Sequence, residues 1–304
     1  MKISIIIVNY NVRELLLKCI QAIYHSSNKN FEIIVVDNNS KDDSTVAVKE
    51  KYPNVIVVEN KFNAGFSGAN NQGMELASGE FILLLNPDTE IAVDALDLLL
   101  DYLLRHNECS IVGPQLLNSD GTLQPSIWKS QSVLDLILET FFLHKFIDTL
   151  NYEKEKMQQS LEVDSMSGAA LFFRKELIKE IGMLDVHLFW MEDIDFCYRA
   201  KSKGNLTYLP KAKVVHHIGQ SAKRNYNIAI SNQLLSKLKY YKKHFGFIQA
   251  ILGNVFCFLF ISSRLFIFSL LAPFKELWLL KLKAYWHTFK KFFRYVFLND
   301  LSIL

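Results

Sequence analysis

Three short polar stretches hold the residues best suited to chemistry on a charged ligand: Asn86-Pro87-Asp88, Glu192-Asp193 and His216-His217. Asp88 follows the apolar run Phe81-Ile82-Leu83-Leu84-Leu85, with Asn86 and Pro87 between. Pro87 has no N–H with which to continue a ladder, so the carboxylate is delivered to a loop at a strand's carboxyl end. In open α/β sheets ligands bind at that edge. A carboxylate on a rigid turn suits a divalent cation, and a cation suits a diphosphate. Asn86 and Asp88 are also ordinary turn formers, so the motif alone leaves both readings open. Glu192 and Asp193 open the stretch EDIDFCYR, in which Glu192 and Asp195, and Asp195 and Arg199, share helix faces. A carboxylate desolvated beside Trp190 would have the raised pKa of a general base. Acidic residues in a first helical turn also complement the helix dipole, which is the plain structural alternative. Of two adjacent histidines ending an apolar strand only one can face the ligand edge, because successive side chains alternate. That imidazole could complete a metal site with Asp88 if the two motifs are neighbours.

The elements that must position these groups alternate. Residues 3–8, 31–36, 55–58 and 81–85 read as strands, and 13–24 carries apolar residues at Leu15, Leu16, Cys19, Ile20 and Ile23, a helical face. The first strand ends at Asn9-Tyr10-Asn11 and the second at Asp37-Asn38-Asn39-Ser40. An acidic residue closing an early strand of an α/β unit commonly accepts hydrogen bonds from ribose hydroxyls or a base edge. The stretch 40–43 also resembles a helix cap. Residues 60–73, NKFNAGFSGANNQG, form a glycine- and asparagine-rich helix entry, where Gly65 and Gly68 permit close backbone approach and a helix N-terminus favours phosphate. This is not GxGxxG, so a dinucleotide-binding Rossmann enzyme is not expected. A helix over 92–106, a strand over 110–117, a turn at Asp120-Gly121, a strand over 163–173, a short helix over 174–181 and a strand over 206–215 complete the pattern. The small residues Ser167, Gly168 and Ala169 in the 163–173 strand permit close approach of a substrate. Strand–helix alternation predicts an α/β fold with a largely parallel sheet and helices on both faces. Residues 128–162 are less regular, and their apolar patch at 134–147 reads either as a flap over an acceptor or as part of a membrane face.

Charge divides the 304-residue chain. Residues 1–221 hold 21 Lys+Arg against 29 Asp+Glu, and residues 222–304 hold 13 against 2. An acidic body with a basic, aromatic, apolar tail predicts contact with a membrane surface or a polyanion. In that tail 250–274 is nearly all apolar but carries Arg264, and 278–297 mixes Lys281, Lys283, Lys290, Lys291 and Arg294 with aromatics. A central arginine opposes a simple span, and the aromatic-basic segment suits a helix lying in the interface. Monotopic attachment is the expectation; one span, a re-entrant hairpin or a buried helical subdomain are the alternatives. Nucleic acid is not an expected partner, because far more Leu, Ile and Phe accompany the basic residues than a phosphate groove needs. Cys19, Cys109, Cys197 and Cys257 form no CxxC pair and read as buried thiols of a reducing compartment. Met1-Lys2 leads straight into a strand, so no signal peptide and a cytosolic body are expected.

Taken in order, SIIIVNYN, VVDNNS, NxGFSGANNQG, LLLNPDT, SGAALFFR, WMEDIDFCYR and HHIGQS resemble the inverting glycosyltransferases of family 2, nearest their bacterial rhamnosyltransferase-like branch. The resemblance covers residues 1–221 and lies in order and spacing. It implies a GT-A fold, a Rossmann-like mixed sheet, over 1–221, followed by a membrane-associating helical region over 222–304. It implies a nucleotide-diphosphate sugar donor bridged by Mg²⁺ or Mn²⁺, with rhamnose favoured as the sugar. Asn9, Asp37 and Asn38 would line the nucleoside pocket, with Asn63, Gly65 and Asn70 near the nucleotide. Asp88 takes the second acidic position of the family's DxD metal motif and Asn86 the first, a departure that leaves one carboxylate there and places Asn86 among the nucleotide-sugar contacts. His216, in preference to His217, would be a further metal ligand. Glu192-Asp193 matches the acidic pair that supplies the general base; either fits, with Asp193 preferred. The acceptor implied by the tail and the family is a lipid-linked oligosaccharide or surface polysaccharide at the cytoplasmic face of the inner membrane. A catalytically silent nucleotide-sugar or glycan-binding scaffold is the alternative, and persistence of the acidic pair beside HHIGQS argues against it.

Overall fold

The structure, a computed structural model, describes residues 2–27, 30–153, 156–217 and 226–298. Residues 218–221 of the HHIGQS stretch and the expected boundary at 221/222 lie outside the described residues. The chain forms two compact units. The first takes Met1–Lys129, Tyr152–Val186 and Glu192–Gln220, and the second Ser130–Asn151, His187–Met191 and Ser221–Leu304.

In the first unit β1 (Ile3–Asn9), α1 (Arg13–His25), β2 (Phe31–Asp37), α2 (Ser44–Lys51), β3 (Ile56–Glu59), α3 (Gly65–Leu76) and β4 (Phe81–Leu85) alternate strictly. β1 and β4 are buried along their whole lengths, as continuous apolar runs between two helical layers must be. Along β1, Ile5 and Ile7 enter one core with α1, while Ile6 and Val8 enter the other with Ala69 and Met74 of α3. The parallel order β3-β2-β1-β4 sets Asn9 opposite Asp37 and Ile7 opposite Leu85. One edge therefore receives the polar ends of three strands.

β5 (Thr89–Ile91), α4 (Ala95–Arg105), β6 (Cys109–Leu117) and β7 (Ile127–Trp128) follow, then α5 (Val133–Thr140), which belongs to the second unit. β8 (Leu161–Val163), β9 (Ser165–Met166), β10 (Ala170–Arg174), α6 (Glu176–Ile181), α7 (Glu192–Ala200) and β11 (Asn205–His216) complete the first. β10 lies antiparallel between β4 and β6, and β11 runs parallel to β6 with β5 and β8 antiparallel to it. β7 and β9 pair separately. The result is the expected mixed, mostly parallel sheet flanked by helices.

Two expectations need correction, and one strand lies outside them. The predicted 163–173 strand is three pieces, because Ser167-Gly168-Ala169 leaves the ladder to serve the site described below. The predicted 92–106 helix starts at Ala95, since Ala92 first donates its N–H to Lys213 O at 3.0 Å. Three residues after Asp88 form β5, too short for its pattern to register in sequence.

In the second unit α8 (Tyr226–His244), α9 (Gly246–Leu271) and α10 (Glu276–Leu298) pack with α5. Lys237 Nζ of α8 meets Glu139 Oε1 of α5 at 3.2 Å, and Tyr241 Oη donates to Ser132 O at 2.9 Å. All four cysteines are free and buried, and burial pushes the Cys19 and Cys197 thiols up to about 12.

Candidate active site at the carboxyl edge of the sheet

The ends of β1 and β2 are tied to each other. Asn9 Nδ2 donates to Asp37 Oδ1 at 2.7 Å and to Ser40 Oγ at 3.0 Å, while Asp37 Oδ2 accepts from Ser40 N at 2.8 Å. Asn11 and Asn39 take left-handed backbone conformations (φ 54° and 63°), which asparagine tolerates better than other side chains. Asn9 Oδ1 is buried without a partner among the described residues. Buried acceptors are rarely left so, which marks this position as one a ligand donor would satisfy.

Asn38 holds the entry to α3. Its Oδ1 accepts from Asn60 Nδ2 at 3.1 Å and Ala64 N at 3.2 Å, and its Nδ2 donates to Gly65 O at 3.1 Å. Asn63 Oδ1 accepts from Gly65 N at 2.9 Å. Gly65 has φ +74° and open space where a Cβ would be, so its role is conformational. Asn70 Nδ2 turns back on its own helix, to Phe66 O at 3.0 Å. Asn38, Asn63 and Asn70 thus fix the shape of the helix entry with the amide groups named here.

The second end of the site is assembled by β5. Antiparallel pairing sets His216 opposite Thr89, next to Asp88. His216 Nε2 lies 3.3 Å from Asp88 Oδ1 and 3.4 Å from Asn86 Nδ2. His217 diverges, with Nε2 2.8 Å from Glu90 Oε1 and Nδ1 2.7 Å from Ser119 Oγ. Gln124, buried, governs the His216 ring: its Nε2 donates to Asn118 Oδ1 at 3.0 Å and His216 O at 3.2 Å, which leaves Oε1 to accept from Nδ1 at 2.8 Å. With Nδ1 donating to Gln124, Nε2 is the ring atom left to face the Asp88 carboxylate. A proton or a cation fits between Nε2 and that carboxylate.

Asn86 Oδ1 is also buried without a partner among the described residues. The Asp88 carboxylate oxygen and the His216 imidazole nitrogen fit Mg²⁺ or Mn²⁺, with Asn86 presenting its Nδ2 to the ring, and the Gln124 contact is the outer-shell arrangement that orients a ligating histidine. Among the described residues no group of three or more His, Cys, Asp or Glu side chains gathers to hold a metal. The set is therefore partial, with room for ligand oxygens.

The third component is α7. Asp193 Oδ2 accepts from Gly168 N at 2.9 Å and Oδ1 from Ile194 N at 2.8 Å. Burial raises its pKa, and the two backbone N–H groups offset only part of that. Asp195, fully buried, has a different task. It takes Arg199 Nε at 2.9 Å and Nη2 at 2.8 Å, and the same guanidinium donates to Met183 O at 2.8 Å and Gly182 O at 3.2 Å. That pair fastens the chain after α6 onto α7. Glu192 is buried at the start of the helix.

Gly168 and Ala169 join these components. Gly168 N–H holds the Asp193 carboxylate, while Ala169 O accepts Asn86 N–H at 2.9 Å. A Cβ at Gly168 would lie 3.2 Å from Asp193 Cβ and 3.5 Å from a Phe66 ring carbon. The absence of a side chain at Gly168 is therefore required by the position of Asp193. Gln124 carried no signal in sequence, since nothing local marks a glutamine after a turn. Asn71 lay within a noted motif, and its amide clamps Leu184 through Nδ2 to O at 2.9 Å and N to Oδ1 at 3.1 Å.

The model of glycosyl transferase family 2 matches residues 4–182. The chain is 27% identical over 241 residues to N-acetylglucosaminyl-diphospho-decaprenol L-rhamnosyltransferase of Mycobacterium tuberculosis, covering 73% of this chain and 78% of that one. It is 34% identical over 132 residues to GalNAc(5)-diNAcBac-PP-undecaprenol beta-1,3-glucosyltransferase of Campylobacter jejuni, covering 40% of each. Among solved structures, mannosyltransferase PcManGT from Pyrobaculum calidifontis, in complex with GDP-Man and Mn²⁺, superposes with a TM-score of 0.58 over 98% of this chain and 88% of that one, at 14% identity.

Proposed function

This chain belongs to glycosyl transferase family 2 and is a glycosyltransferase of GT-A fold, and we propose that it moves one sugar, rhamnose first among the candidates, from a nucleoside-diphosphate donor to a lipid-linked or surface-polysaccharide acceptor. The rhamnosyltransferase named above supports the sugar, and the diphospho-polyprenol in both relatives' names supports the acceptor class. The observation that carries the reading is the Gly168-Ala169 stretch, which ties a carboxylate of raised pKa to the Asn86–Asp88 turn.

Asp193 is the general base in this proposal. Its carboxylate takes the proton of an acceptor hydroxyl, whose oxygen bonds to the anomeric carbon as the bond from that carbon to the diphosphate oxygen breaks. The electron pair leaves with the nucleoside diphosphate, and single displacement inverts the anomeric centre. Asp88 and His216 would hold the divalent cation, Mg²⁺ or Mn²⁺, which when bound supplies positive charge against the diphosphate, and Asn86 beside them would contact the donor. Asn9 and Asp37 face the nucleoside, with Asn38, Asn63, Gly65 and Asn70 shaping the α3 entry whose N–H groups favour phosphate. Residues 222–304 attach the protein, peripherally or monotopically, to the cytoplasmic face of the cell membrane.

Calorimetry with dTDP, UDP and GDP sugars, with and without Mn²⁺, tests the donor site. One nucleotide class should bind, and more tightly with the metal. A folded sample that binds none of them overturns the proposal. Gly168→Ala tests the base: the added Cβ displaces the Asp193 carboxylate, so kcat should fall by roughly 10- to 100-fold with donor affinity nearly unchanged. Loss of donor binding in a folded Gly168→Ala protein would place Asp193 in the wrong role.

A further inference from the structure

The second unit exposes an apolar surface that its own packing does not explain. Residues 141–147, FFLHKFI, are all exposed, with Phe141 at 56%, Phe146 at 86% and Ile147 at 50%. On α9, Phe247, Ile248, Ile251, Leu252 and Val255 are exposed as well. Contiguous apolar exposure on this scale marks a site of interaction.

The 141–147 loop is held against α9 by a buried arginine. Arg264 Nη1 donates to Thr140 O at 2.8 Å and Nη2 to Glu139 O at 2.5 Å, so its guanidinium caps the C-terminal end of α5. The rings of Phe142 and Phe260 each lie 4.0 Å from its Cζ. Phe142 itself is left-handed, φ 61°. The arginine that opposed a membrane helix in sequence is spent inside the protein, and the loop it anchors faces outward.

α9 and α10 run antiparallel. Phe268 stacks on Trp278 at 5.6 Å, Phe260 lies 6.1 Å from Tyr285, and Phe258 is 6.2 Å from Phe289. Among the described residues α9 is the one helix long and apolar enough to cross a bilayer. If it crossed, this pairing would carry α10 across with it. Lys281, Lys283, Lys290, Lys291 and Arg294 would then enter the hydrocarbon alongside α9, at roughly 2.5–3.5 kcal/mol for each one near its centre. Lying in the interface, the exposed Lys283 and Lys290 meet phosphate headgroups while Lys291 stays on Asn232 Oδ1 at 2.9 Å, and Trp278 and Trp286, each with a lysine over its ring, lie where such residues concentrate.

We propose that the 141–147 loop and the α9–α10 hairpin form one surface that enters a single leaflet of an anionic membrane without crossing it. The occupant is lipid because of charge: residues 222–304 hold 13 Lys+Arg against 2 Asp+Glu, and His144 and Lys145 sit among the exposed loop phenylalanines. The proposal rests on the membrane reading above and adds to it the loop and the depth.

Two measurements on the full-length protein test it. The first is co-sedimentation with phosphatidylcholine vesicles, with and without phosphatidylglycerol, for wild type and Phe146→Asp. Wild type should partition to anionic vesicles, and Phe146→Asp should reduce this by at least ~10-fold while nucleotide-sugar binding is kept. Undiminished partition of Phe146→Asp overturns the loop's part but leaves membrane attachment standing. No partition of wild type removes the membrane reading altogether, and a stable dimer that masks the surface would assign it to a second copy. The second measurement labels Lys275→Cys, at the hairpin tip, with an impermeant maleimide against a background of buried cysteines. In inverted membrane vesicles, whose cytoplasmic face is outside, the tip should label fully. Labelling only after the vesicles are opened would show a crossing hairpin and overturn the single-leaflet geometry.

Discussion

Asp193→Asn is expected to lower kcat by about a thousandfold while leaving donor affinity within a few-fold of wild type. Asparagine keeps the shape and can still accept the Gly168 and Ile194 N–H groups through its one carbonyl oxygen in part, but it takes no proton from a hydroxyl. Glu192→Gln should cost much less, since Asp193 is the carboxylate joined to the Gly168-Ala169 stretch. The reverse ranking would exchange the two roles. Stability separates this loss from misfolding. The folded pKa of Asp193 is raised, chiefly by burial, so the folded state binds its proton more tightly than the unfolded chain does. As pH rises from the unfolded value through the folded one, wild type loses stability from this group. Asp193→Asn has no such loss, so its melting temperature relative to wild type should rise across that window as activity in wild type appears. Thermal melts and kcat/KM measured over the same pH series check both. A variant that is both inactive and less stable at high pH would contradict the assignment.

Asp88→Ala should weaken metal-dependent donor binding by ~100-fold or more, since it removes the one carboxylate of the partial set. Chelation should bring wild type down to the level of the variant and leave the variant unchanged. His216→Ala should fall in the same direction, whereas His217→Ala should bind donor nearly as wild type does, because its ring is engaged by Glu90 and Ser119. Gln124→Leu leaves every proposed ligand in place but frees the His216 ring to rotate and exchange tautomers, with an expected cost of about 10-fold in Mn²⁺ affinity. Titration of Mn²⁺ by its electron paramagnetic resonance signal reads these affinities without turnover. Equal losses in His216→Ala and His217→Ala would undo the geometric distinction between them.

Much of this arrangement was legible in the chain because it depends on local rules. Ile3–Asn9 and Phe81–Leu85 are apolar runs that only a doubly covered strand can bury, and the polar residues closing them must fall at one edge when the strands are parallel. The DxD-like turn, the acidic pair and the two histidines were visible as residue types in positions that a sheet edge would expose. The 134–147 patch, which admitted two readings, falls in the same unit as the C-terminal helices.

Other features depended on contacts between distant segments. β5 carries three residues and no periodicity, yet its pairing with β11 brings His216 to Asp88 across 128 positions of chain. Which imidazole turns inward follows from that register and from Gln124, whose type and neighbours say nothing of it. The broken 163–173 strand is a second case, since its small residues permit a strand locally, while Gly168 N–H is bonded to the Asp193 carboxylate, 25 residues away, and Ala169 O to Asn86 N. Arg264 is a third: a charge in an apolar helix is costly in isolation, and it is satisfied by the Glu139 and Thr140 carbonyls at the end of α5. The sequence by itself determined the fold class and the sheet edge at which the proposed site residues gather, because periodicity and turn chemistry act over a few residues. Tertiary structure decided which carboxylate is tied to the Gly168-Ala169 stretch, which histidine meets Asp88 and where the buried arginine goes, because each depends on a partner many residues away, reached only when the sheet closes or the helices pack.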